Sequence, residues 1–113
     1  MESDFTRRLT LELRRCNAIV CVIHQSAWST PGTPDRYVCH TRWCGMLEFK
    51  DTGTALEPQQ ARMIREINKR RAGAAYVVRA PGTVEDADGV VLGSFTSALG
   101  LLKILCQLTT DRA

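Results

Sequence analysis

The chain has 113 residues and a mass of 12.6 kDa, enough for one hydrophobic core, so we expect a single domain over residues 1–113. Its 44% hydrophobic and 24% charged residues exclude a disordered or low-complexity protein, and its net charge of +3 identifies no partner by itself. No apolar run approaches the roughly 20 residues of a membrane-spanning helix, and the N-terminus lacks a signal-peptide pattern, which predicts a cytoplasmic protein without a membrane partner.

The N-terminal part of the chain predicts a helix and then a strand. Residues 3–16 place apolar side chains four apart along one side, with Ser3 as the helix N-cap. A β-branched run over residues 18–23 follows, which favours a strand covered on both faces. A loop over residues 25–33, rich in serine, threonine, proline and glycine, then leads to the next strand.

A β-hairpin is predicted next, with acidic residues on its strands. The strands cover residues 35–40 and 46–50, and a tight connection over residues 41–45 joins them. Successive side chains of a strand alternate between its faces, so Glu48 and Lys50 must point the same way. The hairpin therefore presents an acid and a base side by side.

A helix and a parallel strand are predicted after the hairpin. A turn over residues 51–54 leads to Pro58, which suits the first turn of a helix, and apolar residues at helical spacing extend this helix to near Gly73. A short buried strand over residues 75–78 follows directly. A strand reached through a helix favours parallel pairing, so this order predicts a mixed sheet.

The last part of the chain predicts a final helix against this sheet. A short extension over residues 90–92 precedes the helix, which we expect to begin at Ser94 as N-cap and to end near Leu108. Its broad apolar surface either packs on the sheet or forms part of a dimer contact. The predicted fold class is α/β, with a mixed sheet of about four strands flanked by helices in the order αβββαβ plus this C-terminal helix.

Asp35, Glu48 and Lys50 are the most informative residues of the sequence. Twelve residues separate Asp35 from Glu48, so a neighbouring strand can bring Asp35 beside the other two. Two carboxylates and a lysine in one cleft can hold a divalent cation against a phosphodiester and place an ammonium beside the attacking water. Each residue alone is typical of a surface strand or a turn, but together they indicate phosphodiester hydrolysis.

Basic residues are concentrated in two segments although the net charge is small. Such clusters suit the phosphate backbone of a nucleic acid, and a solvated helix face is the alternative. No helix-turn-helix or finger motif is present to read bases, and Trp28 and Trp43 either stack on unpaired bases or pack internally. The candidate nucleic-acid-binding residues are Arg7, Arg8, Arg36, Arg62, Lys69, Arg70 and Arg71, with Arg65 and Arg79 in the same basic stretch.

The cysteines and histidines allow a zinc site as an alternative to free thiols. The five cysteines contain no CxxC pair, and reduced, buried or half-exposed thiols are expected. A zinc site formed by Cys39, His40 and Cys44 is the alternative, and His24 or another residue would have to supply its fourth ligand. Outside such a site both histidines are expected to be structural or exposed, because no nucleophile is paired with them.

Three segments combine into a longer motif. They are Gly32-Thr33-Pro34-Asp35, Leu47-Glu48-Phe49-Lys50 at the end of a strand, and Pro58-Gln59-Gln60 at the start of the next helix. Together they resemble the PD-(D/E)xK nuclease superfamily, and within it the VRR-NUC (virus-type replication-repair nuclease) group, which is related to archaeal Holliday junction resolvases. The resemblance covers roughly residues 2–80 and implies a restriction-endonuclease-like core, whereas the segment beyond Pro81 carries no motif of that group.

This resemblance implies a role for each motif residue and for a bound Mg2+ or Mn2+. Lys50 resembles the catalytic lysine, and Gln60 resembles a glutamine that faces the site from the helix. The first helix of such proteins often supplies a further carboxylate, for which Glu2 and Glu12 compete. The implied catalytic residues are Asp35, Glu48, Lys50 and Gln60, and the implied metal ligands are Asp35, Glu48, the backbone carbonyl of Phe49, and Glu2.

The function that the resemblance implies is a metal-dependent DNA endonuclease. It would act on branched or junction DNA in repair, replication or recombination, and a bacterial or phage origin would fit. One active site per chain against two strands to be cut favours a homodimer, and no organic cofactor is expected. The alternative is a noncatalytic nucleic-acid-binding or assembly protein that retains the fold.

Overall fold

Three strands follow each of the first two helices in the computed structural model, which describes residues 3–24, 30–70 and 72–111. These residues form an α/β fold with three helices and one mixed sheet of six strands. None of their helices has the length and apolarity needed to cross a membrane. In chain order the elements are α1 (Asp4–Arg15), β1 (Ile19–Val22), β2 (Arg36–Cys39), β3 (Cys44–Lys50), α2 (Pro58–Lys69), β4 (Ala75–Arg79), β5 (Thr83–Glu85), β6 (Val91–Ser94) and α3 (Ala98–Asp111).

The six strands lie side by side in the same order as in the sequence. Every neighbouring pair is antiparallel except β3 and β4, which α2 connects as a parallel crossover. The predicted hairpin and crossover are thereby confirmed, and so is the order αβββαβ over the first six elements. The expected number of about four strands is wrong, because β5 and β6 extend the sheet beyond β4.

Helices cover the two faces of the sheet unequally. Helices α1 and α3 pack on one face, where Leu13, Leu47 and Leu101 are fully buried in the larger core. Helix α2 packs on the other face, where its Ile64 meets Ala75 and Val77 of β4 in a smaller core. The apolar side of α3 thus packs on its own sheet, as one of the two predicted alternatives required.

The prediction that β1 is covered on both faces is wrong. It is an edge strand, and Ile19 and Val22 are 62% and 43% exposed while Val20 is buried on the side of α1 and α3. A β-branched run reports strand propensity but not which faces are covered. The backbone carbonyl of Val20 accepts a hydrogen bond from Arg14 at 2.9 Å, which shields part of this open edge.

The helix ends follow from side-chain caps. The Ser3 hydroxyl accepts a hydrogen bond from the Thr6 N–H at 3.2 Å, so the predicted cap of α1 is confirmed. Ser94 is not a cap, because it is the last residue of β6, and α3 begins three residues later than predicted, behind Ser97, whose hydroxyl accepts from the Gly100 N–H. Helix α2 ends at Lys69 rather than near Gly73.

Candidate functional site

Residues from three different elements line a small cleft of about 140 Å³ at one end of the β2–β3 hairpin. Asp35 enters from the turn before β2, Glu48 from β3, and Gln60 from the first turn of α2. The structure therefore brings together the acids and the glutamine that the sequence separates by up to 25 positions. Its lining residues are Gly32, Thr33, Asp35, Glu48, Glu57, Gln59 and Gln60.

Asp35 is held against the neighbouring strand by its own carboxylate. Its Oδ1 accepts a hydrogen bond from the Phe49 N–H at 3.2 Å, and its Oδ2 lies 3.5 Å from Nη1 of Arg36. The first contact fixes the acid beside β3, between Glu48 and Lys50 in sequence. The carboxylate is thus oriented before any ligand arrives.

Glu48 is the most deeply buried acid of the cleft, at 5% exposure. Strand alternation sends Glu48 and Lys50 to the face covered by α2, while Phe49 points the other way and lies with its ring centroid 6.4 Å from that of Phe5. The prediction that Glu48 and Lys50 share one face is confirmed by this placement of their neighbours in the two cores. Strand β3 thus delivers Glu48 to the cleft and carries Lys50 on the same face, although Lys50 is not among the residues that line the cleft.

The two acids and the lysine are electrostatically coupled. Burial raises the pKa of Asp35, although the Phe49 N–H, Arg36 and Lys50 oppose that rise. Burial first, and the charge of Asp35 second, raise the pKa of Glu48 to about 7. Lys50 lowers the pKa of both carboxyl groups, so its charge acts on both. Like charges that are forced together are typical of a site that binds a cation.

Gln60 has a structural partner within the helix start. Its Oε1 accepts a hydrogen bond from the Glu57 N–H at 2.9 Å, which caps α2 ahead of Pro58. The glutamine therefore lines the cleft and fixes the helix end at once. Glu57 also lines the cleft, and the motif does not include it. Its position three residues before Gln60, at the predicted start of a helix, is the sequence pattern that would have indicated it as the N-cap.

Gly32 lets the turn that carries Asp35 approach the first turn of α2. Its φ is +85°, and a Cβ placed there would lie 2.2 Å from the backbone oxygen of Gln59. The backbone of the turn and the backbone of the helix therefore touch, which no other residue type permits. This contact sets the width of the cleft between Asp35 and Gln60.

We expect Gly32→Ala to lower the free energy of unfolding by about 2–4 kcal/mol, because the left-handed backbone and the collision with Gln59 both add cost. Gly53→Ala is the matched control, since Gly53 has a φ of +79° but open space around it. We expect the control to lose only about 1–2 kcal/mol in urea unfolding. Equal losses in the two variants would show that the contact with α2 contributes nothing.

The donor set of the cleft suits a hard divalent cation held by few protein ligands. Among residues 3–24, 30–70 and 72–111, no group of three or more histidine, cysteine, aspartate or glutamate side chains is placed to hold a metal. Asp35 and Glu48 remain as a pair of carboxylates, and Mg2+ commonly binds through one or two carboxylates with water and phosphate oxygens completing its shell. The residues present therefore fit Mg2+ better than a metal that needs a full protein cage.

The first helix contributes no carboxylate to the cleft among the described residues. Glu12 points to the other side of the sheet, where its Oε1 accepts a hydrogen bond from the Ala98 N–H at 3.3 Å at the start of α3. The reading of Glu12 as a metal ligand is thus wrong. Glu2, its competitor, lies outside the described residues.

The predicted basic residues occupy different environments. Arg36 has a 7% exposed side chain that lies over the Phe49 ring at 5.5 Å and beside Asp35, so its charge acts inside the protein rather than on a distant phosphate. On α2, Arg62 is exposed and borders the same surface depressions as Gln59. The remaining predicted residues are Arg7, paired with Asp4; Arg8, exposed on α1; Lys69 and Arg70, both paired with Glu66; and Arg71, outside the described residues.

The internal packing of Trp43 answers whether this tryptophan can stack on a base. Trp43 is 4% exposed and donates from Nε1 to the Thr109 hydroxyl at 2.9 Å, so it packs internally and cannot stack on a base. Trp28 lies outside the described residues.

Nε2 of His40 lies 3.1 Å from the Cys16 carbonyl oxygen, a structural contact. Cys39 and Cys44 adjoin each other, but the three-ligand zinc cluster does not form among the described residues.

The comparisons with known proteins leave the functional argument to the residues themselves. No model of a known protein family matches the sequence, and no curated protein matches it significantly. The cleft that holds Asp35 and Glu48, with Lys50 on the same strand face as Glu48, is therefore the basis for inferring a function.

Proposed function

We propose that the protein is a metal-dependent nuclease of the PD-(D/E)xK type that hydrolyses DNA phosphodiester bonds. The observation that carries this proposal is that half-buried Asp35 and buried Glu48 line one cleft, with Lys50 acting on the pKa of both acids. Two carboxylates held together away from water are costly unless a cation or a proton compensates them. A catalytic metal site explains why the chain retains that cost.

The fold supports the same assignment. The order α1, β1, β2, β3, α2, β4, with one parallel pair between β3 and β4, agrees with the restriction-endonuclease-like core that the motif implies. In this arrangement the end of β3 and the start of α2 face one cleft. The strands β5 and β6 and helix α3 are then an addition to that core.

The residues have distinct tasks in the proposed reaction. A bound Mg2+ or Mn2+ would neutralise phosphate oxygens and make a bound water more acidic. Asp35 and Glu48 would hold the ion, and the Phe49 N–H holds the Asp35 carboxylate in place. The backbone carbonyl of Phe49 remains the proposed third protein ligand. Because burial raises the pKa of Glu48 to about 7, binding of the ion would displace the proton from those molecules that still carry one at neutral pH.

Lys50 is the proposed catalytic lysine. It follows Glu48 by two residues on the same face of β3 and is only partly exposed. An ammonium in this position orients the attacking water and stabilises the charge that develops on the phosphorane. Gln60 keeps its side-chain oxygen on the Glu57 N–H, so its proposed role is to hold the wall of the cleft that faces the substrate.

The DNA would pass along α2. Gln59 lines the cleft, Arg62 borders the surface depressions that Gln59 also lines, and Lys69 and Arg70 continue the basic surface toward the helix end. Backbone recognition without a base-reading motif favours DNA of a particular shape, such as a branch or a junction. A homodimer would supply the two active sites that a cut in both strands requires.

The proposal is tested by incubating the protein with linear, flapped and four-way DNA in Mg2+, Mn2+ or EDTA. We expect cleavage of at least one substrate with metal and none in EDTA. Asp35→Asn and Lys50→Ala are expected to reduce the rate by at least about 100-fold. Asp111→Asn removes an exposed acid at the end of α3, outside the cleft lining, and serves as the matched control with full activity.

Binding of DNA without cleavage in every metal would contradict the nuclease proposal and support the noncatalytic alternative. Cleavage that survives in both Asp35→Asn and Lys50→Ala would contradict the assignment of this cleft. Circular dichroism of each variant separates loss of activity from loss of fold.

A further inference from the structure

Cys39 and Cys44 face each other across the β2–β3 hairpin. They are register partners, and their Sγ atoms lie 2.7 Å apart. This separation is shorter than ordinary contact between two sulfur atoms and longer than the ~2.05 Å of a disulfide bond. The two thiols are thus adjacent before any reaction.

The hydrogen-bond pattern of the hairpin explains why these two side chains meet. His40 and Trp43 exchange both backbone hydrogen bonds, at 2.7 and 3.3 Å, and so close the turn as a hydrogen-bonded pair. Pairs alternate in an antiparallel ladder, which makes Cys39 and Cys44 a non-hydrogen-bonded pair. In such pairs the Cα atoms lie about 4.5 Å apart, within the range of roughly 4.4–6.8 Å that a disulfide spans.

The pair lies on the open face of the sheet. Helix α2 covers β3 and β4 on this side, but Ile19 and Tyr37, which share the face with Cys39, are 62% and 39% exposed. Cys44 is exposed and Cys39 is half-buried. An external reagent can therefore reach the sulfur of Cys44 without unfolding the hairpin.

We propose that Cys39 and Cys44 form a redox-modification site that closes to an intrachain disulfide by exchange with a low-molecular-weight disulfide. One cysteine thiolate attacks a sulfur of the external disulfide, forms a mixed disulfide and releases one small thiol. The second cysteine then attacks the mixed disulfide, forms the Cys39–Cys44 bond and releases the second small thiol. The protein loses two hydrogens, and the external disulfide is reduced to two thiols.

This site is separate from the proposed active site. The disulfide would close the turn end of the hairpin, whereas Glu48 and Lys50 lie toward the opposite end of β3. The bond would pin the register of β2 against β3, which carry the segment after Asp35 and the segment that ends in Lys50. The inference stands whether or not the protein is a nuclease.

The protonation of Cys44 sets the conditions for the experiment. Its hydrogen bond to Cys39 is the largest cause that raises the pKa of the Cys44 thiol. Exchange proceeds through the thiolate, so the reaction is best measured at about pH 8.5. Reduced full-length protein is incubated there with oxidised glutathione, and free thiols are counted after denaturation.

We expect the wild-type protein to fall from five free thiols to three, with a mass loss of two hydrogens and no bound glutathione. Tryptic cleavage without reduction should release residues 37–42 joined to residues 43–50, because Arg42 separates the two cysteines. Cys21→Ser is the matched control, since Cys21 is also exposed, and it should still lose two thiols. Cys39→Ser should abolish the linked peptide.

The same reaction in guanidinium provides a reference that does not depend on a variant that folds. Native protein should yield the Cys39–Cys44 link almost alone, whereas unfolded protein should yield a mixture of cysteine pairs. The same mixture in both states would overturn the proposal. Glutathione adducts on both cysteines, or a dominant link through Cys21, would overturn it as well.

Discussion

Replacing Glu48 by glutamine is expected to stabilise the protein above pH 7 and to change its stability little at pH 4. Burial holds the pKa of Glu48 at about 7 in the folded protein, against an ordinary value of 4.5. A carboxyl group whose pKa is raised by folding costs stability once it ionises, so wild-type stability should fall as pH rises from 4.5 through 7. The full cost is about 3 kcal/mol, and glutamine removes it.

Urea unfolding at several pH values between 4 and 8.5 measures this effect. The two stability curves should meet near pH 4 and separate as pH increases, with Glu48→Gln above. Glu66→Gln is the control, because hydrogen bonding to Lys69 lowers the pKa of that exposed acid and its removal should not stabilise the protein at high pH. Curves for wild type and Glu48→Gln that stay parallel would contradict the assignment of a buried, protonated Glu48.

Metal adds a second readout to the same pair of proteins. Mg2+ should stabilise the wild-type protein most at pH 8, where Glu48 is ionised. At pH 6.5 the binding of Mg2+ should release a proton from Glu48. Glu48→Gln should show neither response. If Mg2+ stabilises both proteins equally, the cation does not bind at Glu48, and the proposed nuclease site fails independently of the pH result.

Local patterns were sufficient where a short segment determines its own structure. The hairpin follows from alternation, and the crossover from a strand that comes directly after a helix, so Glu48 and Lys50 could be placed on one face from sequence. Ser3 and Ser94 show where local patterns stop being sufficient. Both precede apolar helical patterns, but Ser94 pairs with Thr83 in the sheet, and this tertiary pairing moves the cap to Ser97.

The site could be predicted less completely than the fold. The residues around Glu12 predict only that it lies on a helix. In the structure its carboxylate accepts a hydrogen bond from the N–H of Ala98, the first residue of α3. The sequence around Arg36 predicts a basic residue on a strand that is free to bind DNA. In the structure its side chain is buried against Phe49 and its guanidinium lies beside Asp35. Contacts between distant segments decide both cases, and the spacing of residues along one chain segment does not contain them.

Arg79 turns inward from the basic stretch and anchors the segment that follows Lys50. Its Nε lies 2.7 Å from Oε2 of Glu85, and its Nη1 donates to the backbone carbonyls of Asp51 and Thr54 at 2.9 and 2.6 Å. The Arg79 and Glu85 side chains are 19% and 9% exposed. A largely buried ion pair on β4 and β5 therefore ties the turn between β3 and α2 to the sheet.

We expect Arg79→Met to lower the free energy of unfolding by about 3–5 kcal/mol, because it leaves the Glu85 carboxylate buried without its partner. The double variant Arg79→Met/Glu85→Leu removes both charges and should recover a large part of that loss in urea unfolding. Exposed Arg65, paired with Asp88, offers the matched control, and Arg65→Met should cost at most about 1 kcal/mol.

Recovery in the double variant separates two contributions of Arg79 that the single variant combines. The double variant leaves no unpaired charge at position 85, but the carbonyls of Asp51 and Thr54 still lack their donor. A double variant with wild-type stability but slower DNA cleavage would assign Arg79 to positioning the turn beside Lys50. No recovery of stability would mean that the turn contacts, and not the ion pair, hold this end of the sheet together.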